Sequence, residues 1–498
     1  MERLSHGALL LDSNQPASVQ SGPPDPNVVA CPPTTNFGYL FPGLQKNPLN
    51  RVADVDETGI LMAQTLIRLG DAMMEPRNFP LPTPPNPPIA SVYSYFGQFI
   101  THELVFEVTT KDTKLGGNIV PLNKNAIPTL MNARTTLMDL DSIYGPMLDN
   151  QNKCFPVPVN GKEMVLGVAG NSDDPRPGRD LKRETDPPFT ALIGDRRNDS
   201  NLITSQMHLA FLRAHNQLVQ DRSFLEAQKV LRQHFQWLVM SDYLPKVVDH
   251  DVLESVRKGE IDVFKGAPNG IFMPVEFSAA AFRFAHSMPR NRYHYNDLRD
   301  EVELSELFLP ITQYSRLLVS WIIDWRRFIP GGLNTARPIG PRLVQPLFKL
   351  IDAAGKPLFD SQNCPISLAA LDLLRGYLLG LPTGQAVAKE FGETALSATE
   401  IEEAAGQDHF AADQKAILKE SGLSKRTPLW FYILAEAAVR KNGACLGRVG
   451  SIIVAGVLMA LIDRSTDSIL HDPSWTGPTL GDDGFDLAQL FKLAEVIP

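Results

Sequence analysis

Near residue 100 the chain reads Phe96-Gly97-Gln98-Phe99-Ile100-Thr101-His102-Glu103. In a helix, Gln98 and His102 share one face and set an amide beside an imidazole on an otherwise apolar segment. A neutral imidazole can take a proton from a small bound oxidant and return it one atom further along, which suits peroxide cleavage over a metal. Taken singly, a histidine on a helix is more often a hydrogen-bonded core residue than a catalyst. A second candidate is Arg134–Gly145, where Thr135, Leu137, Asp139 and Asp141 alternate. An extended loop would turn their oxygens toward one centre, and two carboxylates, a hydroxyl and a backbone carbonyl suit Ca²⁺. An Asp-rich turn is the plainer account. His208 and His215 lie two helical turns apart. That spacing allows metal ligation, but polar core positions fit it better.

The elements that must position these residues are mostly helical. Asp56–Met74, Ser91–Phe106, Ile203–Val247, Phe277–His286, Ser315–Trp325, Ile366–Gly380, Pro428–Lys441 and Leu446–Asp463 carry apolar residues at helical spacing. No strand alternation is sustained, no repeat is seen, and residues 107–200 read as loop and turn. A stiff proline cluster spans Pro80–Pro88. The expectation is a mainly α fold: an extended arm over residues 1–58, which wraps a core or is partly disordered, and one catalytic domain over 59–498.

Composition narrows the function. The 498 residues are 43% hydrophobic and 21% charged, as in a globular protein. A net charge of −9 with no basic run argues against nucleic acid as partner. The N-terminus makes a poor secretory signal, and the longest apolar stretch, Ile452–Ile462, is too short to span a bilayer. Cys31, Cys154, Cys364 and Cys445 are scattered without a CxxC pair, which supports neither a zinc knuckle nor a dense disulfide framework. A cytoplasmic, reducing location is expected.

Five segments then fall into a pattern: GQFITHEL (97–104), RTTLMDLDSIYG (134–145), GDRRNDSNLITSQMHLAFLRAHNQL (194–218), AFRFAHSMP (281–289) and LDLLRGYLLGLP (371–382). In this order and spacing they resemble the animal-type haem peroxidases of the peroxidase–cyclooxygenase superfamily, over most of residues 35–498. The resemblance implies haem b and a reaction of hydrogen peroxide with a small reductant: a phenol or aniline, or bromide, iodide or thiocyanate, through a ferryl–porphyrin radical. It implies His102 as distal acid–base, Gln98 as its companion, and Arg197 as the distal cation stabilising the departing oxygen, with Arg196 as the alternative one position earlier. His286 matches the proximal iron ligand, and Arg283 and Arg375 match residues beside the haem propionates. Glu103 matches the carboxylate that completes a calcium loop with Thr135, Leu137, Asp139 and Asp141.

The chain departs from the family's pattern in four places. Thr101 and Ser200 stand where carboxylates tie haem covalently in many members, so non-covalent haem is expected and chloride oxidation is doubtful. Glu103 replaces the usual Asp. Asp372 replaces the Asn usually found behind the proximal histidine, and a carboxylate there makes the imidazole more anionic. Arg283, followed by Phe284, stands where the superfamily's fatty-acid dioxygenases carry a radical-forming Tyr, which favours a peroxidase over a dioxygenase. Tyr293 and Tyr295 are the nearest tyrosines in sequence. An inert haem-binding scaffold is the other alternative; it would need no distal acid–base pair.

Overall fold

The structure, a computed structural model, describes residues 35–52, 59–76, 82–83, 87–107, 125–148, 154–187, 189–265, 272–308, 315–347, 367–406, 410–480 and 484–498. Most of the expected arm and part of the proline-rich connector lie outside them. The fold is mainly α. Ile60–Ala72, Val92–Leu104, Leu368–Leu378, Leu429–Lys441 and Arg448–Asp463 form helices within the expected spans. Arg448–Asp463 is apolar all round and lies at the centre, against His250–Arg257, Leu429–Lys441 and Val275–Ala279. That is where a helix without a polar face must go.

Three expected elements take a different form. The long run from residue 203 is broken into Leu202–Leu218, Phe224–Trp237, a widened π turn at Leu238–Tyr243, and Leu244–Val247. Ser223 interrupts it by capping the second helix reciprocally with Glu226. The Phe277–His286 segment is a short helix, Val275–Ala279, followed by a 3₁₀ turn, Ala281–Ser287. Ser315–Trp325 is not a helix; it holds only the 3₁₀ turn Val319–Trp321. Side-chain amides from elsewhere take its backbone groups. Asn296 Nδ2 donates to the carbonyls of Ser320 and Ile322, and Gln206 bonds the Trp321 carbonyl and the Ile323 N–H. Such partners satisfy the backbone as well as a helix would.

Strands are short. The longest, Arg176–Leu181, pairs antiparallel with Leu166–Ala169 and slips register between Gly167 and Val168. More useful to the site is Thr35–Gly38, which pairs antiparallel with Met131–Asn132 and parallel with Met273–Pro274. This strand ties together two segments that each lead into a candidate site element. Buried Glu276 fixes it by accepting the Leu40 and Phe41 N–H groups.

The described cysteines are in two states. Cys154 is disulfide-bonded, with its partner outside the described residues. A contact between segments far apart in sequence leaves no spacing signature. Cys445 is a free thiol. Among the described residues no helix is long and apolar enough to cross a membrane.

A close helix crossing brings Ile60–Ala72 against Leu368–Leu378 at Gly70. A Cβ on Gly70 would lie 2.4 Å from the Ala370 backbone nitrogen and 2.5 Å from its Cα. Backbone cannot swing aside as a side chain can, so Gly70→Ala should destabilise the fold by about 1–3 kcal/mol. Calorimetric melting of the two proteins checks this; equal melting temperatures would show that the helices part without cost.

Candidate active site

The Val92–Leu104 helix is buried over most of its surface. Phe96 and Phe99 pack against Phe235, and Phe99 also stacks on Phe211 with centroids 4.7 Å apart. At its C-terminal end, where carbonyls lose their helical partners, the chain supplies donors. Asn132 Nδ2 donates to the Leu104 carbonyl at 2.8 Å, and Arg197 Nη2 to the His102 carbonyl at 3.0 Å. Arg197 is itself held by Asp195, whose Oδ2 lies 2.6 Å from Arg197 Nη2 and 2.5 Å from Arg134 Nη2. Burial pushes the Asp195 carboxyl up, but the two guanidinium charges outweigh it and hold the group well below the usual carboxylate range.

Gln98, Thr101 and His102 face a cavity whose lining includes Arg283, His286, Phe308 and Leu368. The cavity therefore has a wall from each half of the sequence pattern. On the first wall, His102 Nδ1 lies 2.8 Å from Asn198 Oδ1, and Asn198 Nδ2 lies 3.0 Å from His208 Nδ1. An amide oxygen only accepts, so His102 carries its proton on Nδ1 and presents a lone pair at Nε2. Burial pushes the His208 imidazole down to about 3, with Asp195 opposing and Arg134 and His102 adding to the shift. A neutral His208 can accept from Asn198 and so fixes which way that amide points. His208 is thus a polar core residue with a positioning consequence. His215 bonds the Tyr144 hydroxyl and the Lys162 carbonyl. Sequence reasoning missed Asn198; its place beside Arg197 was the only hint.

On the second wall, the 3₁₀ turn eclipses residues three apart, which puts Arg283 and His286 on one edge. Both reach the same buried carboxylate: Asp372 Oδ2 lies 2.5 Å from His286 Nδ1, and Oδ1 lies 3.0 Å from Arg283 Nη1. With Nδ1 committed to Asp372, Nε2 is the nitrogen through which His286 would ligate a metal.

Arg197 and Arg375 are buried but are not among the cavity-lining residues. Arg197 Nη1 and Arg375 Nε have no hydrogen-bond partner among the described residues. Burial, followed by the nearby Arg283 charge, pushes the Arg375 guanidinium down to about 9. Guanidinium does not give up its proton in a protein, so this is a cation in want of an anion. Surplus buried positive charge beside an apolar slot with a histidine on each side fits a planar metal complex that carries carboxylates. No carboxylate is among the described residues lining the cavity. Thr101 Oγ1 bonds back to the Gly97 carbonyl, and Ser200 lies outside the lining.

The residues expected to hold calcium do not form a cage. Glu103 accepts the N–H groups of Asp141 and Ser142, Thr135 donates to Asp139, and Asp141 pairs with Arg134 at 3.3 Å. Among the described residues no group of three or more His, Cys, Asp or Glu stands close enough to hold a metal ion. Burial and the neighbouring carboxylates push Glu103 up to about 8 and Asp139 up to about 6, so these contacts leave the cluster's negative charge in excess.

A model of the animal haem peroxidase family matches residues 71–383. The chain belongs to the animal haem peroxidase family. Thyroid peroxidase of Rattus norvegicus is 27% identical over 284 residues, which make up 51% of this chain and 29% of that protein. A peroxidase-like protein of Margaritifera margaritifera is 24% identical over 358 residues, 58% of this chain and 44% of that protein. The chain thus spans less than half the length of these relatives. Peroxidase A from Dictyostelium discoideum superposes with a TM-score of 0.58 at 15% identity, over 86% of this chain and 88% of that one. A fatty acid alpha-dioxygenase from Oryza sativa superposes with a TM-score of 0.57 at 13% identity, over 89% and 78%. These superpositions show a shared fold. Membership implies haem binding.

His208 sets an acid limit on stability. The unfolded imidazole, near pKa 6.5, binds its proton before the folded one does, so this contribution is present above pH 6.5 and is lost as pH falls toward about 3. Between pH 7 and pH 5 it amounts to about 2 kcal/mol. His208→Gln keeps an acceptor for Asn198 but cannot be protonated. Its melting temperature should fall less than the wild type's over that interval; parallel falls would assign the acid limit to other groups.

Proposed function

We propose that this chain is a haem peroxidase that uses hydrogen peroxide to oxidise small donors, phenols and anilines or bromide, iodide and thiocyanate. The observation that carries the reading is one cavity walled by Gln98 and His102 on one side and by Arg283 and His286, backed by Asp372, on the other. Haem bound there supplies an iron that receives peroxide and stores two oxidising equivalents. His286 would hold the iron from one face through Nε2. His102 Nε2 takes the proton from the inner oxygen of peroxide and returns it to the outer one, while Asn198 keeps the required tautomer. Gln98, whose Oε1 accepts from Asn201 at 3.4 Å, offers its amide to small polar guests beside His102. Arg197 supports the site from behind by donating to the His102 carbonyl, so its positive charge acts on the distal wall through that residue. Arg283 and Arg375 would meet the propionates.

The dioxygenase reading requires a tyrosine where Arg283 stands, and Arg283 is committed to Asp372. An inert scaffold would leave the buried relay from His102 to His208 without a purpose.

The decisive test is the Soret band of haem-loaded protein mixed with one equivalent of peroxide. The wild type should respond within milliseconds, and His102→Ala should slow the response by about 10²–10⁴-fold. Equal rates would remove His102 from the chemistry. Haem should also extract into acidified organic solvent, since Thr101 and Ser200 offer no ester partner; retention in the protein fraction would refute non-covalent binding.

The proximal pair gives a separate test. Asp372 accepts the His286 proton and raises the electron density of the ligand. Asp372→Asn should raise the Fe(III)/Fe(II) potential in a spectroelectrochemical titration. An unchanged potential would mean that Asp372 serves only the packing of Arg283.

A further inference from the structure

Tyr95 also lines the cavity, and the chemistry above makes no use of it. Its hydroxyl donates to that of Tyr293 at 3.0 Å, with ring centroids 6.0 Å apart. Tyr293 stacks on Phe328 at 5.5 Å, and Tyr295 meets the same Phe328 edge-on at 6.1 Å. Tyr295 then contacts Trp321 at 5.8 Å and donates its hydroxyl to the Trp321 carbonyl at 2.9 Å. Tyr95, Tyr293 and Tyr295 are buried, whereas Trp321 is only half-buried. The Arg299 guanidinium lies 3.8 Å over the Trp321 ring. The turn that carries Arg299 is strapped to this segment by Asn296, and it also carries Leu298, 70% exposed; Leu318, 38% exposed, begins the Trp321 turn.

Four oxidisable rings thus run in order from the cavity wall to the surface, with Phe328 bridging the middle step. Phenol and indole side chains are the ones that give up an electron most readily, and contacts of this length favour hopping between them. An ordinary core needs aromatic packing but not a series of Tyr and Trp, joined at one step through a Phe, that starts at a redox cavity and ends at a half-buried Trp. The far end has its own character. A cation over an aromatic face, flanked by exposed leucines, suits a flat aromatic donor that bears negative charge.

We propose that Tyr95, Tyr293, Tyr295 and Trp321 carry electrons inward from a second, surface oxidation site at Trp321, which serves anionic aromatic donors too large to enter the cavity. The proposal rests on the peroxidase reading. Two donor molecules each lose one electron at Trp321 and leave as radicals. Two protons come from solvent, and together they reduce one hydrogen peroxide to two waters. Each tyrosine is oxidised only in transit; the phenolic protons of Tyr95 and Tyr295 lean along their hydrogen bonds to the Tyr293 hydroxyl and the Trp321 carbonyl and return when the next electron arrives.

The test uses the haem-loaded protein, the bulky bis-sulfonated dye ABTS and iodide, which is small enough for the cavity. In Trp321→Phe, turnover of ABTS should fall by at least about tenfold, equivalent to roughly 1.4 kcal/mol of barrier, while iodide turnover stays unchanged. Peroxide alone, with a nitroso spin trap and peptide mass mapping, should place adducts on Trp321 in the wild type. Tyr293→Phe should abolish the Trp321 adduct. A Soret band that still responds to peroxide, with unchanged ABTS turnover in Trp321→Phe or no adduct on any of the four rings, overturns the proposal and leaves the peroxidase reading intact. A Soret band indifferent to peroxide overturns both.

Discussion

The distal wall hangs on a buried carboxylate. Asp195 draws Arg134 and Arg197 to it, and those two guanidiniums fasten three separate stretches of chain: the end of the Val92–Leu104 helix, the 134–145 loop, and the turn leading into Leu202–Leu218. One carboxylate between two buried cations leaves a positive excess, which Asp141 offsets at 3.3 Å from Arg134. Buried charges endure only in such closed sets, because each left unpaired would cost several kcal/mol. The set is therefore fixed in geometry, and His102 and Asn198, carried on its members, inherit that fixity.

The proximal wall uses a carboxylate differently. Asp372 meets one cation, Arg283, and one imidazole, His286. The second oxygen is thus spent on orienting a ring. Beyond this pair the cations outnumber the anions: Arg375 is buried with a donor unpartnered, and Arg283 is close enough to depress its pKa. Arg375 stands near the slot without lining it, and Arg283 is the cation on the wall itself, so an anion that arrives with a ligand would meet Arg283 first.

Much of this was legible from sequence. The Val92–Leu104 helix shows because its apolar residues repeat at helical period over its whole length, and His286 and Asp372 show through the segments around them. What sequence hid has a common cause: contacts made by side chains across the fold. The pattern of Ala281–Ser287 is apolar enough for an α-helix, and only Ala280, with φ −134° and ψ −73°, breaks it into a tighter turn. Ser315–Trp325 loses its helix to amides of Gln206 and Asn296, each remote in sequence. The bridge from His102 through Asn198 to His208 joins two elements, so no spacing within either predicts it. Tyr293 and Tyr295 could be named from sequence, but that Tyr95 links them to the cavity could not.

Glu103 shows how a single methylene changes what holds the distal helix. Sequence placed its carboxylate in a cation-binding loop. In the fold, both of its oxygens accept backbone N–H groups at the start of the short helix Asp141–Tyr144. Helix-start amides are unpaired donors with a partial positive charge, which an anion satisfies directly. Arg134 takes the Asp141 carboxylate. These partners do not balance the junction: burial, with Asp139 and Asp141 beside it, pushes Glu103 up to about 8, and burial with Asp141 pushes Asp139 up to about 6. The amides fix where the Glu103 carboxylate points, while three neighbouring carboxylates leave negative charge in excess there.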